Sequence, residues 1–155
     1  MSLQVITVEQ MRRWEAASWK AGISEAEVIE QVGSILAKRA LELTETDDKI
    51  LLIAGKGHNG DDVRAMATNL PDRNVTLIDV IEPENSLEKL RASLGTKPQL
   101  VIDGLFGIGI NRVLDKDWID FILEVNVRQL PVLSVDVPSG IDATTCLLYT
   151  SDAAD

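Results

Sequence analysis

Apolar positions follow two different rhythms along this chain. Before residue 48 they recur at helical spacing. After it they gather into short unbroken runs separated by turn residues. Thr7 with Gln10 makes a capping box ahead of Val8, Met11 and Trp14, and Gly22 ends that helix. Ser24 with Glu27 makes a second box, ahead of an apolar face at Val28, Val32, Ile35, Leu36 and Leu43. Residues 49–54 (KILLIA) then read as a strand buried on both faces. A glycine turn at 55–60 leads to a helix over 62–70, stopped by Pro71. A second strand is expected over 74–80. A helix over 86–94 follows, with Ser86 as N-cap and Gly95 just past its end. A third strand lies at 99–103, a helix at 115–127 and a fourth strand at 131–137. Apolar strands alternating with helices predict an α/β, Rossmann-like three-layer αβα sandwich with a mostly parallel sheet. The N-terminal helical pair is expected to pack on that sheet.

Composition narrows the picture. The 155 residues suit one domain, and 45% apolar with 26% charged residues is ordinary for a globular chain. The net charge of −10 disfavours nucleic acid or an anionic membrane as partner. No apolar run is long enough to span a bilayer, and the N-terminus lacks the pattern of a signal peptide. With a single cysteine, Cys146, these features set a cytoplasmic expectation.

Residues 146–155 stand apart. They hold the only Cys and the only Tyr, and no basic residue. The ten residues also resemble the translation of an adapter used in transposase-based sequencing libraries. The expected organisation is an incomplete domain at 1–145 and an adapter-derived tail at 146–155. Setting aside Asp152 and Asp155 takes the net charge from −10 to −8.

Ligands of open parallel sheets bind beyond the carboxyl ends of the strands. Three strand ends here carry chemistry. The first, Gly55 to Gly60, satisfies G-x-G-x-x-G after a strand, with Asp79 placed where a ribose-binding carboxylate would sit. Asp61 and Asp62 follow, and suit a helix N-terminus better than they suit a docked pyrophosphate. A tight βα turn explains this loop about as well as a ligand does. His58, the only histidine, is read as a group lining the site. The second loop runs from Asp103 through three glycines to Arg112, whose planar fork suits a phosphate. The third places Asp136 before Pro138, Ser139 and Gly140. Asn59, Asp103 and Ser139 offer an amide, a carboxylate and a hydroxyl oxygen. That low-charge set favours a monovalent cation over magnesium.

The segments AGKGHNGDD, VIDGLFGIGINR and VLSVDVPSGIDATT, in that order, resemble the signatures of the YjeF N-terminal domain family of NAD(P)H-hydrate epimerases. The lead-in with Glu30 and Gly33 (VIEQVG) is similar to that family as well, and the likeness spans residues 5–145. The resemblance implies a Rossmann-like fold. It implies interconversion of the R and S forms of NADHX and NADPHX, nicotinamide cofactors hydrated at ring carbon C6. It implies substrate binding by His58, Asn59, Gly60, Asp61 and Asp62, by Gly107, Ile108, Gly109, Ile110, Asn111, Arg112 and Val113, and by Asp136. It implies a potassium ion (K+) on Asn59, Asp103 and Ser139. Asp136 is the expected catalytic acid/base.

Partners implied are the dinucleotide substrate, a dehydratase, fused or separate, that uses the S form, and a second copy in a homodimer. The family's first loop is usually N-N-G-G-D, so His58 and Asp61 depart from it. Asp61 is the less comfortable change: it adds charge beside an anionic cofactor, and strain if the position requires positive φ. The family continues with further strands, so an exposed apolar strand edge and poor solubility are expected. Two other readings compete. One is a non-catalytic binding module of the same fold. The other is an NAD-dependent dehydrogenase built on the glycine loop and Asp79.

Overall fold

A computed structural model describes residues 5–110 and 112–149. The order is α1 (Val8–Lys20), α2 (Glu25–Glu42), β1 (Lys49–Ala54), α3 (His58–Ala67), β2 (Asn74–Asp79), α4 (Pro83–Gly95), β3 (Leu100–Gly104), α5 (Lys116–Asn126) and β4 (Val132–Ser134). Among the described residues the strands form one sheet in the order β2-β1-β3-β4, and every pairing is parallel.

Alternation along the central strands builds three layers, because successive side chains of a strand point to opposite faces. Leu51 and Ile53 of β1, with Val101 of β3, join Leu90 and Leu94 of α4 and Trp118, Phe121 and Ile122 of α5. Ile50 and Leu52, with Leu100 and Ile102, join Val63 and Met66 of α3 and Ala37 and Ala40 of α2. β1 is buried at five of its six positions, which is why KILLIA carries no alternation.

The helix starts obey local chemistry. Both capping boxes form: Thr7 pairs reciprocally with Gln10, and Ser24 with Glu27. Asp115 accepts from the Trp118 amide and opens α5. Gly22, with φ +91°, closes α1 as expected. Gly33 faces Ala65 so closely that an added Cβ would lie 2.6 Å from the Ala65 Cβ, so the small residue sets the approach of α2 to α3. The expectation for the N-terminal pair is therefore half corrected. α2 packs on α3, whereas α1 buries no residue and leaves Trp14 exposed.

Other boundaries also differ from the sequence pattern. α3 begins at His58, four residues before the expected start, because the second half of the glycine loop is already helical. α4 begins at Pro83, whose fixed φ and missing N–H suit the first turn. Ser86 is thus not an N-cap: it lies within α4, about one turn in, and its hydroxyl donates to the Asp79 carbonyl at 3.3 Å. Gly95 is the last residue of the helix rather than the one beyond it. β4 stops at Ser134 instead of reaching Val137. Beyond it Ile141 bridges Leu148 in antiparallel fashion, and the Tyr149 hydroxyl donates to Asp142. No described helix is long and apolar enough to cross a membrane.

Candidate functional site

β1, β3 and β4 end side by side, and the loops beyond them meet. Asn59 comes from the first turn of α3, Asp103 from the end of β3, and Asp136 and Ser139 from the segment after β4. The amide nitrogen of Asn59 donates to the carbonyls of Phe106, at 2.9 Å, and Val135, at 2.8 Å. One side chain thereby ties the first loop to the second and third. Asp103 ties the second loop to the third. Its Oδ1 accepts from the Ser139 hydroxyl at 2.6 Å and its Oδ2 from the Ser139 amide at 2.9 Å. The Ser139 hydroxyl in turn accepts from the Phe106 amide at 3.1 Å.

Asp136 leaves the strand abruptly. Its φ is +65°, a left-handed conformation uncommon outside glycine, and the Val137 amide closes a three-residue turn onto the Val135 carbonyl. Strained backbone of this kind concentrates at functional sites. The turn ends β4 early and swings the carboxylate back over the second loop, where its Oδ2 accepts from the Ile108 amide at 2.7 Å. Gly107 is required between them. A Cβ there would lie 2.6 Å from Asn59 Oδ1 and 2.7 Å from Asp136 Oδ2. Gly60 is required in the first loop, since a Cβ would lie 2.0 Å from the Gly55 carbonyl oxygen.

Asp62 stands apart electrostatically. Burial pushes its carboxyl up to about 6, the charges of Asp61 and Asp136 push the same way, and His58 opposes them. His58 Nε2 lies 2.8 Å from Glu25 Oε1, so the start of α2 reaches the rim of the site.

The substitution at Asp61 resolves differently from the expectation. Asp61 lies within α3 and has no positive φ, so the feared backbone strain is absent. Its charge is paired: Oδ1 lies 2.9 Å from Arg64, one helical turn on. The same guanidinium donates to Asp79 at 2.7 Å and to the Gly55 carbonyl at 2.8 Å.

Of the expected substrate-binding residues, His58, Asn59, Gly60, Asp61 and Asp62 form the first turn of α3, and Asp136 faces them through Gly107. Gly107, Ile108, Gly109 and Ile110 form the loop beneath Asp136. Arg112 and Val113 are exposed, beyond that loop, and Asn111 lies outside the described residues. Sequence reasoning missed Glu25, Arg64 and the carbonyls of Phe106 and Val135. Arg64 was legible as the i+3 partner of Asp61. Nothing in a sequence marks which carbonyls will converge.

The donors fit a monovalent cation. Asn59, Asp103 and Ser139 share one hydrogen-bonded unit with the Phe106 and Val135 carbonyls. All the acceptor atoms of that unit are oxygens and only one residue is a carboxylate, the chemistry of a hard, weakly charged ion. Beside it, Asp103 and Ser139 also face an otherwise mostly apolar groove between β4, α5 and residues 138–148.

Comparison with known proteins bears on the family and the fold. The family described as YjeF-related protein N-terminus matches residues 78–153. The NAD(P)H-hydrate epimerase of Bordetella pertussis (strain CS) is 31% identical, over 92% of this chain and 69% of that protein. The NAD(P)H-hydrate epimerase of Nitrosopumilus maritimus (strain SCM1) is also 31% identical, over 90% of this chain and 76% of its own. A bifunctional NAD(P)H-hydrate repair enzyme, Nnr, of Synechocystis is 30% identical over 91% of this chain and 30% of that protein. The crystal structure of yeast ynu0 superposes with a TM-score of 0.70 at 23% identity, over 90% of this chain and 72% of that one, which supports the α/β fold. With the strand-end residues in these places and relatives of this kind, the chain belongs to the YjeF-related N-terminal family of NAD(P)H-hydrate epimerases.

Proposed function

We propose that this chain interconverts the R and S forms of NADHX and NADPHX. The observation that carries the reading is the convergence of Asn59, Asp103, Asp136 and Ser139 at three adjacent strand ends, with Asp62 near enough for the Asp136 charge to raise its carboxyl. In the substrate, the C6 hydroxyl is bonded beside ring nitrogen N1. Departure of that hydroxyl as water, with a proton from an acid, leaves a cation shared between C6 and N1 that is flat at C6. Water returning on the opposite face, and losing its proton to a base, inverts the centre. The step needs a proton donor on the face the water leaves and a proton acceptor on the face it returns to. Asp62, whose carboxyl burial pushes up to about 6, is the acid. Asp136, held by the Ile108 amide, is the acceptor.

Asn59, Asp103 and Ser139 would hold potassium, which supplies fixed positive charge that keeps the three loops in register. Gly107 to Ile110 would face the nicotinamide, and Arg112, exposed beyond them, is open to phosphate. Supply of the S form to a dehydratase, fused or separate, in the cytoplasm completes the repair. The bifunctional relatives support that partnership.

The test is Asp136→Asn. Epimerisation of NADPHX should fall by about 100-fold or more, the usual contribution of a general acid/base. The circular dichroism spectrum and melting temperature should hold. An unchanged rate removes Asp136 from the chemistry.

A further inference from the structure

The turn that carries Ser139 is fastened from two sides, and the donor unit accounts for only one of them. Ile141 donates its amide to the Pro138 carbonyl at 3.2 Å, and Gly140 has φ +98°. Those are the marks of a type II turn over residues 138–141, with glycine where positive φ is required. From the sheet side, Asp103 accepts from both the hydroxyl and the amide of Ser139, and the Phe106 amide donates to the same hydroxyl. From the other side comes Tyr149. Its amide donates to the Gly140 carbonyl at 2.7 Å, and its hydroxyl donates to Asp142 Oδ2 at 3.1 Å. Its ring is half-buried and packs against the core cluster that includes Leu51, Val101 and Phe121. The chain between is closed on itself. Asp142 donates to the Leu147 carbonyl, Cys146 donates to the Asp142 carbonyl, and Ile141 bridges Leu148. Leu148 also walls the groove that Asp103 and Ser139 face. Residues 146–149 hold the only Cys and the only Tyr of the chain, yet they run back along the Ser139 turn as a clasp.

We propose that Tyr149 is a positioning residue for the cation unit, pinning the 138–141 turn so that Ser139 keeps its hydroxyl oxygen beside Asp103. The proposal rests on the potassium reading above and adds to it a residue outside the donor set. The grips of Asp103 and Phe106 both act on Ser139 itself, which leaves the turn free to swing about that residue. The Gly140 carbonyl lies one residue further on, so a bond to it from Tyr149 removes the swing. The Tyr149 ring and hydroxyl anchor that bond, one in the core and the other on Asp142. An ion that must first order its own ligands binds more weakly, by the free energy of the ordering.

The experiment follows thermal melting of the full chain as potassium chloride replaces tetramethylammonium chloride at constant ionic strength. An ion that binds only the folded state raises the melting temperature with its concentration, and the parent should show that rise. Tyr149→Ala should need about tenfold more potassium for the same rise. Tyr149→Phe, which loses only the hydroxyl, should need about threefold more. Leu147→Ala, in the same segment but with its side chain 61% exposed, should leave the potassium dependence at the parent's. A Tyr149→Ala melting temperature lowered by the same amount at every potassium concentration would make Tyr149 merely structural. That result overturns the positioning role and leaves the potassium site intact. A parent whose melting temperature ignores potassium overturns the site and the positioning role with it. Should Tyr149→Ala fail to fold, Tyr149→Phe decides the matter, and a potassium dependence equal to the parent's overturns the role.

Discussion

Individual side chains here are held by geometry that leaves little room for change. Gly107 separates Asn59 Oδ1 from Asp136 Oδ2, and a methyl group would press on both. Gly107→Ala should therefore displace the Asp136 carboxylate and lower epimerisation by roughly 100-fold, the cost of a misplacement near 1 Å. Because the residue sits in a loop, the melting temperature should barely move; turnover at the parent's level would show that the loop yields without cost. Asp62 makes a pH prediction. Its folded pKa, about 6, lies above the ordinary carboxylate value of 3.8. Between those values the folded chain binds the proton more tightly than the unfolded chain, so Asp62 costs stability as pH rises through 6. Asp62→Asn should stabilise the protein at pH 8, by about 1 kcal/mol once solvent screening of a half-buried group is allowed for. It should give no gain at pH 4. Thermal melts of both proteins at the two pH values decide this, and equal effects at both would contradict it.

The elements divide into those with local signals and those set by tertiary contact. The two capping boxes were legible because each is a short-range pattern of donors and acceptors, whereas Asp115, read as the first residue of its helix, is the N-cap of α5. β1 was legible because a strand covered on both faces needs an unbroken apolar run. The start of α3 was not. Glycines and polar residues read as a turn, yet helix begins at His58, where Asn59 is fixed by carbonyls from two other loops. The end of β4 was misread for a similar reason. VLSVDV is patterned as strand throughout, but the Asp136 turn and its bond to Ile108 override that propensity. Ser86 looked like a cap by composition, and only the fold shows its hydroxyl on the Asp79 carbonyl. Within the core, α5 depends on Phe121, fully buried between Trp118 and the sheet cluster. Phe121→Ala should cost about 3–5 kcal/mol in denaturant unfolding. A loss below about 1 kcal/mol would mean that α5 is not part of the cooperative core.

At the scale of the whole molecule, the sheet order places β1 and β3 side by side while the chain leaves them in opposite directions, to β2 and to β4. That divergence opens the crevice in which the strand-end residues meet. Asn59, Asp103, Asp136 and Ser139 are spread over about half the sequence, and the parallel order brings their loops together. The functional centre was thus readable as a list of polar strand ends. Its internal wiring, with Asn59 spanning two carbonyls and Asp103 gripping Ser139, needed the fold. The same holds for Asp61: as a sequence change it looked adverse, and in place it is one of two carboxylates on Arg64. The most direct test of the account follows a single epimer of NADHX incubated with the purified chain, by proton NMR of the nicotinamide C6 centre. Growth of the opposite epimer toward an equilibrium mixture, at a rate proportional to protein and far above that of the buffer alone, is the predicted result. A spectrum indistinguishable from buffer over the same time would contradict it.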